Sequence, residues 1–356
     1  MKRAIVFEGG GAKGAYEAGA VKALNKKKIF FDGAGGTSIG AINAAFYVVK
    51  NFDNLFKLWE KMDSSDIFGV DSEFLQSISS FDFKNKELTK KGIESIKKIF
   101  KNNGVDINNI HKLLSKYVKE DRFRRSKIDF AVATFNISDR KPTIITKEDI
   151  PEGKLIECII ASAYLPIFKF EKIVDGKFYL DGGVFNNCPV DTFIERGFDE
   201  IYAIQDWHNS KVKYTKKKGV RVHIIKPRED LGSILLFNAD MANYRMNLGY
   251  YDTLKYLDNL DGKKYYFKNY SEEYYKGLFD KVTYKRMIKK YNKGFEPKSY
   301  KDFVISIVEK LCKQLNYERF KIYNMPYLLT RIKYKMVSDK NNVYYDFIKN
   351  IKVDFE

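Results

Sequence analysis

The chain has 356 residues, 44% hydrophobic and 15% aromatic, enough apolar material for a large buried core and too much for a disordered chain. Its 64 Lys and Arg against 46 Asp and Glu give a net charge of +18, which points to anionic partners: nucleic acid or an anionic membrane surface. Cys158, Cys188 and Cys312 lack the spacing of a disulfide framework or a cysteine zinc site, no signal segment precedes the first apolar strand, and no apolar run is long enough to span a bilayer, so a cytoplasmic location with peripheral membrane contact is expected.

In chain order, residues 4–8 predict a strand, Gly9 to Gly14 a bare-backbone loop and Ala15 to Lys26 a helix. Without side chains, Gly10 and Gly11 can bring their N–H groups close to a developing oxyanion; the following helix adds its positive end and Lys13 a full charge. The same Gly9-x-Gly11-x-x-Gly14 spacing matches a dinucleotide-binding loop with Asp32 about 20 residues on. Asp32, however, opens the Gly-rich turn read at residues 31–36, whereas a ribose-binding acid should end a second strand. A Walker loop is excluded, because Lys13 precedes Gly14 and no Gly-Lys-Ser/Thr follows. Next comes Gly36-Thr37-Ser38-Ile39-Gly40, between that turn and the apolar helical run from Ile39 to Val49. A serine on such a turn is strained and exposed, and Gly36 and Gly40 clear space around it, as a nucleophile elbow requires.

Residues 52–118 read mostly as helices, with turns around 77–84, and predict a cap over the Ser38 mouth. Strands are predicted at 128–137, 201–205 and 220–225, indicating an α/β sheet covered by helices on both faces. Ala161-Ser162-Ala163-Tyr164-Leu165-Pro166 ends a helix before its proline. In Phe178-Tyr179-Leu180-Asp181-Gly182-Gly183 a short apolar strand ends in a carboxylate, a candidate base whose plainer alternative is a turn. Beyond about residue 230 the pattern turns helical, aromatic and lysine-rich. There Lys263 to Lys268 and Arg331 to Met336 interleave rings and cations, either to meet lipid headgroups or as ordinary element faces.

The Gly-rich opening, Gly-Thr-Ser-Ile-Gly, the Ala161 to Pro166 block and Asp181-Gly182-Gly183, in that order, resemble a patatin-like phospholipase over roughly residues 3–230. The resemblance implies an α/β three-layer sandwich with a mostly parallel central sheet, as residues 1–230, followed by a mainly helical extension, 231–356, that it does not explain. It further implies a lipid acyl hydrolase of phospholipase A type working through a Ser–Asp dyad and an acyl-enzyme. Ser38 would be the nucleophile and Asp181 the base; Gly9, Gly10, Gly11, Lys13 and Gly14, with the Ile39 N–H, would form the oxyanion and substrate site, and Gly182 and Gly183 would support the turn. No metal or cofactor is implied; the partner is a phospholipid or other acyl lipid, not nucleic acid. His111, His208 and His223 stand in no recognisable catalytic setting, although His208 follows a strand and leaves a triad open. A dinucleotide-dependent enzyme and a non-catalytic lipid-binding protein of the same fold remain the alternatives from other classes.

Overall fold

The computed structural model describes residues 1–68, 104–291 and 297–353, which form two compact units, Met1–Thr253 and Leu254–Glu356. The cap expected over 52–118 falls in part, with its turns at 77–84, outside the described residues.

In the first unit a seven-stranded sheet runs in the order β4-β3-β2-β1-β6-β7, with β5 also paired to β3. Its strands are β1 (Arg3–Phe7), β2 (Gly33–Thr37), β3 (Asp129–Asn136), β4 (Lys141–Thr146), β5 (Tyr179–Asp181), β6 (Glu200–Ile204) and β7 (Arg221–Ile225). β1, β2, β3, β6 and β7 are mutually parallel, whereas β4 and β5 run antiparallel to β3. The helices are α1 (Ala15–Lys26), α2 (Ile39–Val48), α3 (Phe52–Lys61), α4 (Ser64–Phe68), α5 (Asn108–Tyr117), α6 (Glu120–Arg125), α7 (Leu155–Ser162), α8 (Val190–Glu195) and, as far as Thr253, α9 (Ala239–Leu257). On one face Ala4, Val6, Ala131 and Ala203 pack with Phe193 and Ile194 of α8; α2 and α7 lie on the other. This is the three-layer, mostly parallel α/β sandwich that was expected.

Two strands depart from the sequence reading: β4, which it did not predict, and β2. Residues 33–36, read as part of the Gly-rich turn at 31–36, instead form with Thr37 the central strand β2, paired with β1 and β3. Strand propensity argues against four residues of this composition, but crowding requires it: a Cβ on Gly35 would sit 2.1 Å from the Ala131 carbonyl oxygen and 2.6 Å from the Phe193 ring. On the opposite face a Cβ on Gly36 would lie 2.7 Å from the Phe7 carbonyl oxygen and from the Gly40 carbonyl carbon, so α2 can start hard against the sheet.

The pairing along β3 positions the site. β2 pairs with β3 only as far as Thr37 opposite Ala133; from Thr134 onward β5 takes over the same edge, with Asp181 opposite Thr134. β4 occupies the other edge from Ala131 to Asn136. The last residues of β2 and β5 therefore meet beside the Ala133–Thr134 peptide.

The second unit holds α10 (Glu272–Gly277), α11 (Lys281–Tyr291), α12 (Tyr300–Gln314), α13 (Met325–Met336) and α14 (Tyr345–Asn350), with a two-stranded parallel pair, β8 (Tyr266–Phe267) and β9 (Ile322–Tyr323). Tyr265, Tyr266 and Phe267 are buried, and Tyr265 and Phe267 pack with Tyr275, Phe303 and Leu328 in this unit's core. The rings of the Lys263–Lys268 stretch thus serve packing, not headgroup contact. In the second stretch Ile332 and Met336 are also core residues, while Tyr334 is 77% exposed. Among the described residues no helix is long and apolar enough to cross a membrane.

Candidate active site

Ser38 occupies the single-residue junction between β2 and α2, at φ 57°, ψ −125°. A β-carbon is disfavoured at positive φ, so the surroundings must hold this residue in place. Its N–H donates to Ser162 Oγ at 3.1 Å, and Ser162 Oγ donates in turn to the Ala133 carbonyl at 2.6 Å. Its own carbonyl accepts from Ala41 N at 2.9 Å, opening the first turn of α2.

Asp181, the last residue of β5, is buried. One carboxylate oxygen, Oδ1, accepts from Gly183 N at 2.8 Å. The other, Oδ2, is buried and meets no hydrogen-bond geometry with any of the described residues. Burial pushes the carboxyl pKa up to about 6, against the opposing pull of the Ser38 hydroxyl and the Gly183 N–H. The structure therefore brings Ser38 and Asp181 together: a hydroxyl within electrostatic reach of a carboxylate that has spare acceptor capacity.

The Gly9–Gly14 segment lies against this pair, since a Cβ on Gly9 would fall 3.2 Å from Ser38 Cβ. The Gly9 N–H is spent on the Asn187 carbonyl, that of Ala12 on Ile234 and that of Lys13 on Gly10. The N–H groups of Gly10, Gly11 and Ile39 find no partner among the described residues. Gly11 needs its positive φ of 54°, and its neighbour Ile234 would strike any side chain there, 2.1 Å from a Cβ. Gly14 packs under Ile39 and Trp59. The buried Lys13 ammonium is engaged 3.5 Å from the Trp207 ring centre and 3.5 Å from Asp230 Oδ1, and burial lowers its pKa despite Asp230 and Asp206.

A narrow apolar pocket, with a cavity volume of about 50 Å³, opens at Ser38. Ile39 and Ile42 of α2, Leu58, Trp59 and Met62 of the α3 region, and Phe237 are among its lining residues. Trp59 stacks on Phe237 with ring centres 6.0 Å apart and donates from Nε1 to Asn43 Oδ1 at 3.1 Å. Deeper in, Asn43 donates to Glu17 Oε2, whose burial holds its pKa well above the usual carboxylate range.

No histidine joins the pair. His223 contacts Glu200 at 2.9 Å and stacks on Tyr202, and His111 contacts Ser115. The dinucleotide alternative also lacks its geometry. Asp32 accepts from Arg3 N at 2.9 Å, at the start of β1, whereas the Gly loop follows the end of that strand. A Cβ on Gly10 would meet the buried Asp206 carboxylate at 2.5 Å, so a carboxylate, not a phosphate, abuts the loop. Among the described residues no group of three or more potential ligands is arranged to hold a metal ion. Sequence reasoning missed Asn187, which donates from Nδ2 to the Gly9 carbonyl at 2.8 Å and ties the two Gly-rich segments together. Its place six residues after Asp181 was the available signal. Ser162 was in view within its block, but no local pattern assigned it a partner.

The first unit is thus an α/β sandwich carrying a strained serine and a buried aspartate at the mouth of an apolar pocket. The chain belongs to the patatin-like phospholipase family, whose model matches residues 5–194. It is 25% identical over 216 residues to the probable lipid hydrolase 463L of Invertebrate iridescent virus 6, covering 58% of this chain and 68% of the viral protein. It is 27% identical over 205 residues to lysophospholipase nte1 of Aspergillus terreus, covering 56% of this chain but only 12% of the fungal protein. Of solved structures, VipD from Legionella pneumophila is similar at 13% identity with a TM-score of 0.46, covering 96% of this chain and 81% of that one.

Proposed function

We propose that this protein is a lipid acyl hydrolase of phospholipase A type, cleaving fatty-acyl esters by a Ser38–Asp181 dyad. The observation that carries this reading is the convergence of a strained Ser38, at the mouth of an apolar pocket, with an Asp181 carboxylate whose buried Oδ2 has no hydrogen-bond partner among the described residues. Ser38 Oγ attacks the ester carbonyl as Asp181 Oδ2 takes its proton. With a pKa near 6 this carboxyl is ionised at neutral pH, yet a better base than an ordinary aspartate. The N–H groups of Gly10, Gly11 and Ile39 receive the oxyanion, each lowering the barrier by about 3–4 kcal/mol. Collapse gives an acyl-Ser38, with the Asp181 proton passing to the leaving alcohol. Asp181 then activates a water that releases the fatty acid.

The substrate is a membrane lipid, and the second unit supports peripheral contact with an anionic surface. Residues 254–356 carry 23 Lys and Arg against 13 Asp and Glu, +10 of the total +18. On α13, Tyr327, Arg331 and Tyr334 follow a helical spacing, with both rings exposed and the Arg331 guanidinium 5.7 Å from the Tyr327 ring centre.

Fatty-acid release from mixed anionic and zwitterionic vesicles, with chelator present, tests this function. Release lost in both Ser38→Ala and Asp181→Asn is expected; release surviving Ser38→Ala overturns it. Fluorophosphonate labelling of Ser38 separates a missing lipid from a site that does not turn over.

A further inference from the structure

Ser38 N–H lies one residue beyond the last β2–β3 pair, Thr37 opposite Ala133. Continued pairing would draw the serine into the sheet. Instead the hydroxyl of Ser162, the last residue of α7, stands between them. Its single proton goes to the Ala133 carbonyl at 2.6 Å, which leaves a lone pair to accept from Ser38 N at 3.1 Å. Ser162 is fully buried, so no water can replace it without rearrangement.

The next residue of β3 fixes the other half of the pair. Thr134 Oγ1 contacts the carbonyls of Ala161, at 2.7 Å, and Leu180, at 3.0 Å, and thereby ties the last turn of α7 and the end of β5 to one point. Gly182 closes on the same place, since a Cβ there would lie 2.2 Å from the Ala133 carbonyl oxygen. One peptide of β3 thus anchors Ser38 through Ser162 and Asp181 through β5.

From this geometry we infer that Ser162 is the positioning residue of the nucleophile: its hydroxyl, spliced between β2 and β3, holds Ser38 out of the sheet at positive φ and sets the Ser38–Asp181 separation. This rests on the dyad proposed above. Removing the hydroxyl leaves Ser38 N–H and the Ala133 carbonyl as buried groups without their partner, and lets β2 close on β3. A displacement of about 1 Å at the nucleophile can cost about 100-fold in rate.

The test is turnover of full-length Ser162→Ala, normalised to the number of Ser38 sites titrated by a fluorophosphonate, alongside the rate constant for that labelling. We expect kcat per labelled site and the labelling rate constant to fall together, about 10- to 100-fold, with KM unchanged. A purely structural role would lower the number of sites and the melting temperature but leave each remaining site at the wild-type rate; that result overturns the inference. Should Ser162→Ala fail to fold, Ser162→Cys, with a weaker donor of similar shape, is expected to give an intermediate fall per site, and an unchanged rate again overturns it. Wild-type protein that is not labelled at Ser38 refutes the dyad itself. Labelled and active wild type with equally fast Ser162 variants refutes only the role of Ser162.

Discussion

Replacing Asp181 with Asn should abolish hydrolysis and at the same time stabilise the protein, by an amount that depends on pH. Burial raises the Asp181 pKa from 3.8 to about 6, a shift of about 2 units, or about 3 kcal/mol. Between those values the folded protein keeps a proton that the unfolded chain has released. Stability therefore falls as pH rises through this window, and the full cost is present above pH 6. An asparagine of the same shape carries no charge to desolvate. At pH 8 Asp181→Asn should exceed wild type by up to about 3 kcal/mol, or about 6–12 °C in melting temperature for a unit of this size. Near pH 4, where the wild-type carboxyl is also neutral, the gap should close. Denaturant and thermal melts across pH 4–9 read this directly. No stabilisation at pH 8, or a gap of equal size at pH 4, would refute the assignment of Asp181 as a carboxylate held ionised in a desolvating site.

The same carboxyl predicts that kcat/KM for a soluble ester rises tenfold per pH unit up to about pH 6 and then levels off; an apparent pKa near 4 would contradict the raised value. Ser38→Gly removes a side chain at φ 57° and should gain about 1 kcal/mol in denaturant melts while losing fluorophosphonate labelling. Gly35→Ala places a Cβ 2.1 Å from backbone that cannot yield, and should cost more than about 3 kcal/mol or prevent folding, as read by circular dichroism. Tyr327→Ala combined with Tyr334→Ala, both exposed, should leave the melting temperature within about 2 °C and weaken cosedimentation with anionic vesicles at low salt.

How much was legible in the sequence depended on the range of each signal. Strands β1, β3, β6 and β7 and helices α1 and α2 showed in hydrophobic periodicity, because one face of each is set by residues a few positions apart. Ser38 and Asp181 were legible because glycines flank them where backbone must approach backbone. β2 was not, since its Gly-rich composition reflects Phe193, Ala131 and Phe7 packed against it, and none of these is a local neighbour. The rings of Tyr265 and Phe267 were ambiguous for the same reason: alternating aromatics and lysines suit a headgroup or a core equally, and only the Tyr275, Phe303 and Leu328 side chains around them decide. By itself the sequence determined which residue types were available for the proposed acyl transfer and the order in which they occur. Tertiary structure alone decided that they meet, because β5 replaces β2 along one edge of β3, and that Ser162, not the sheet, receives the Ser38 N–H. Strand pairing joins residues distant in the chain, and no local pattern records its partner.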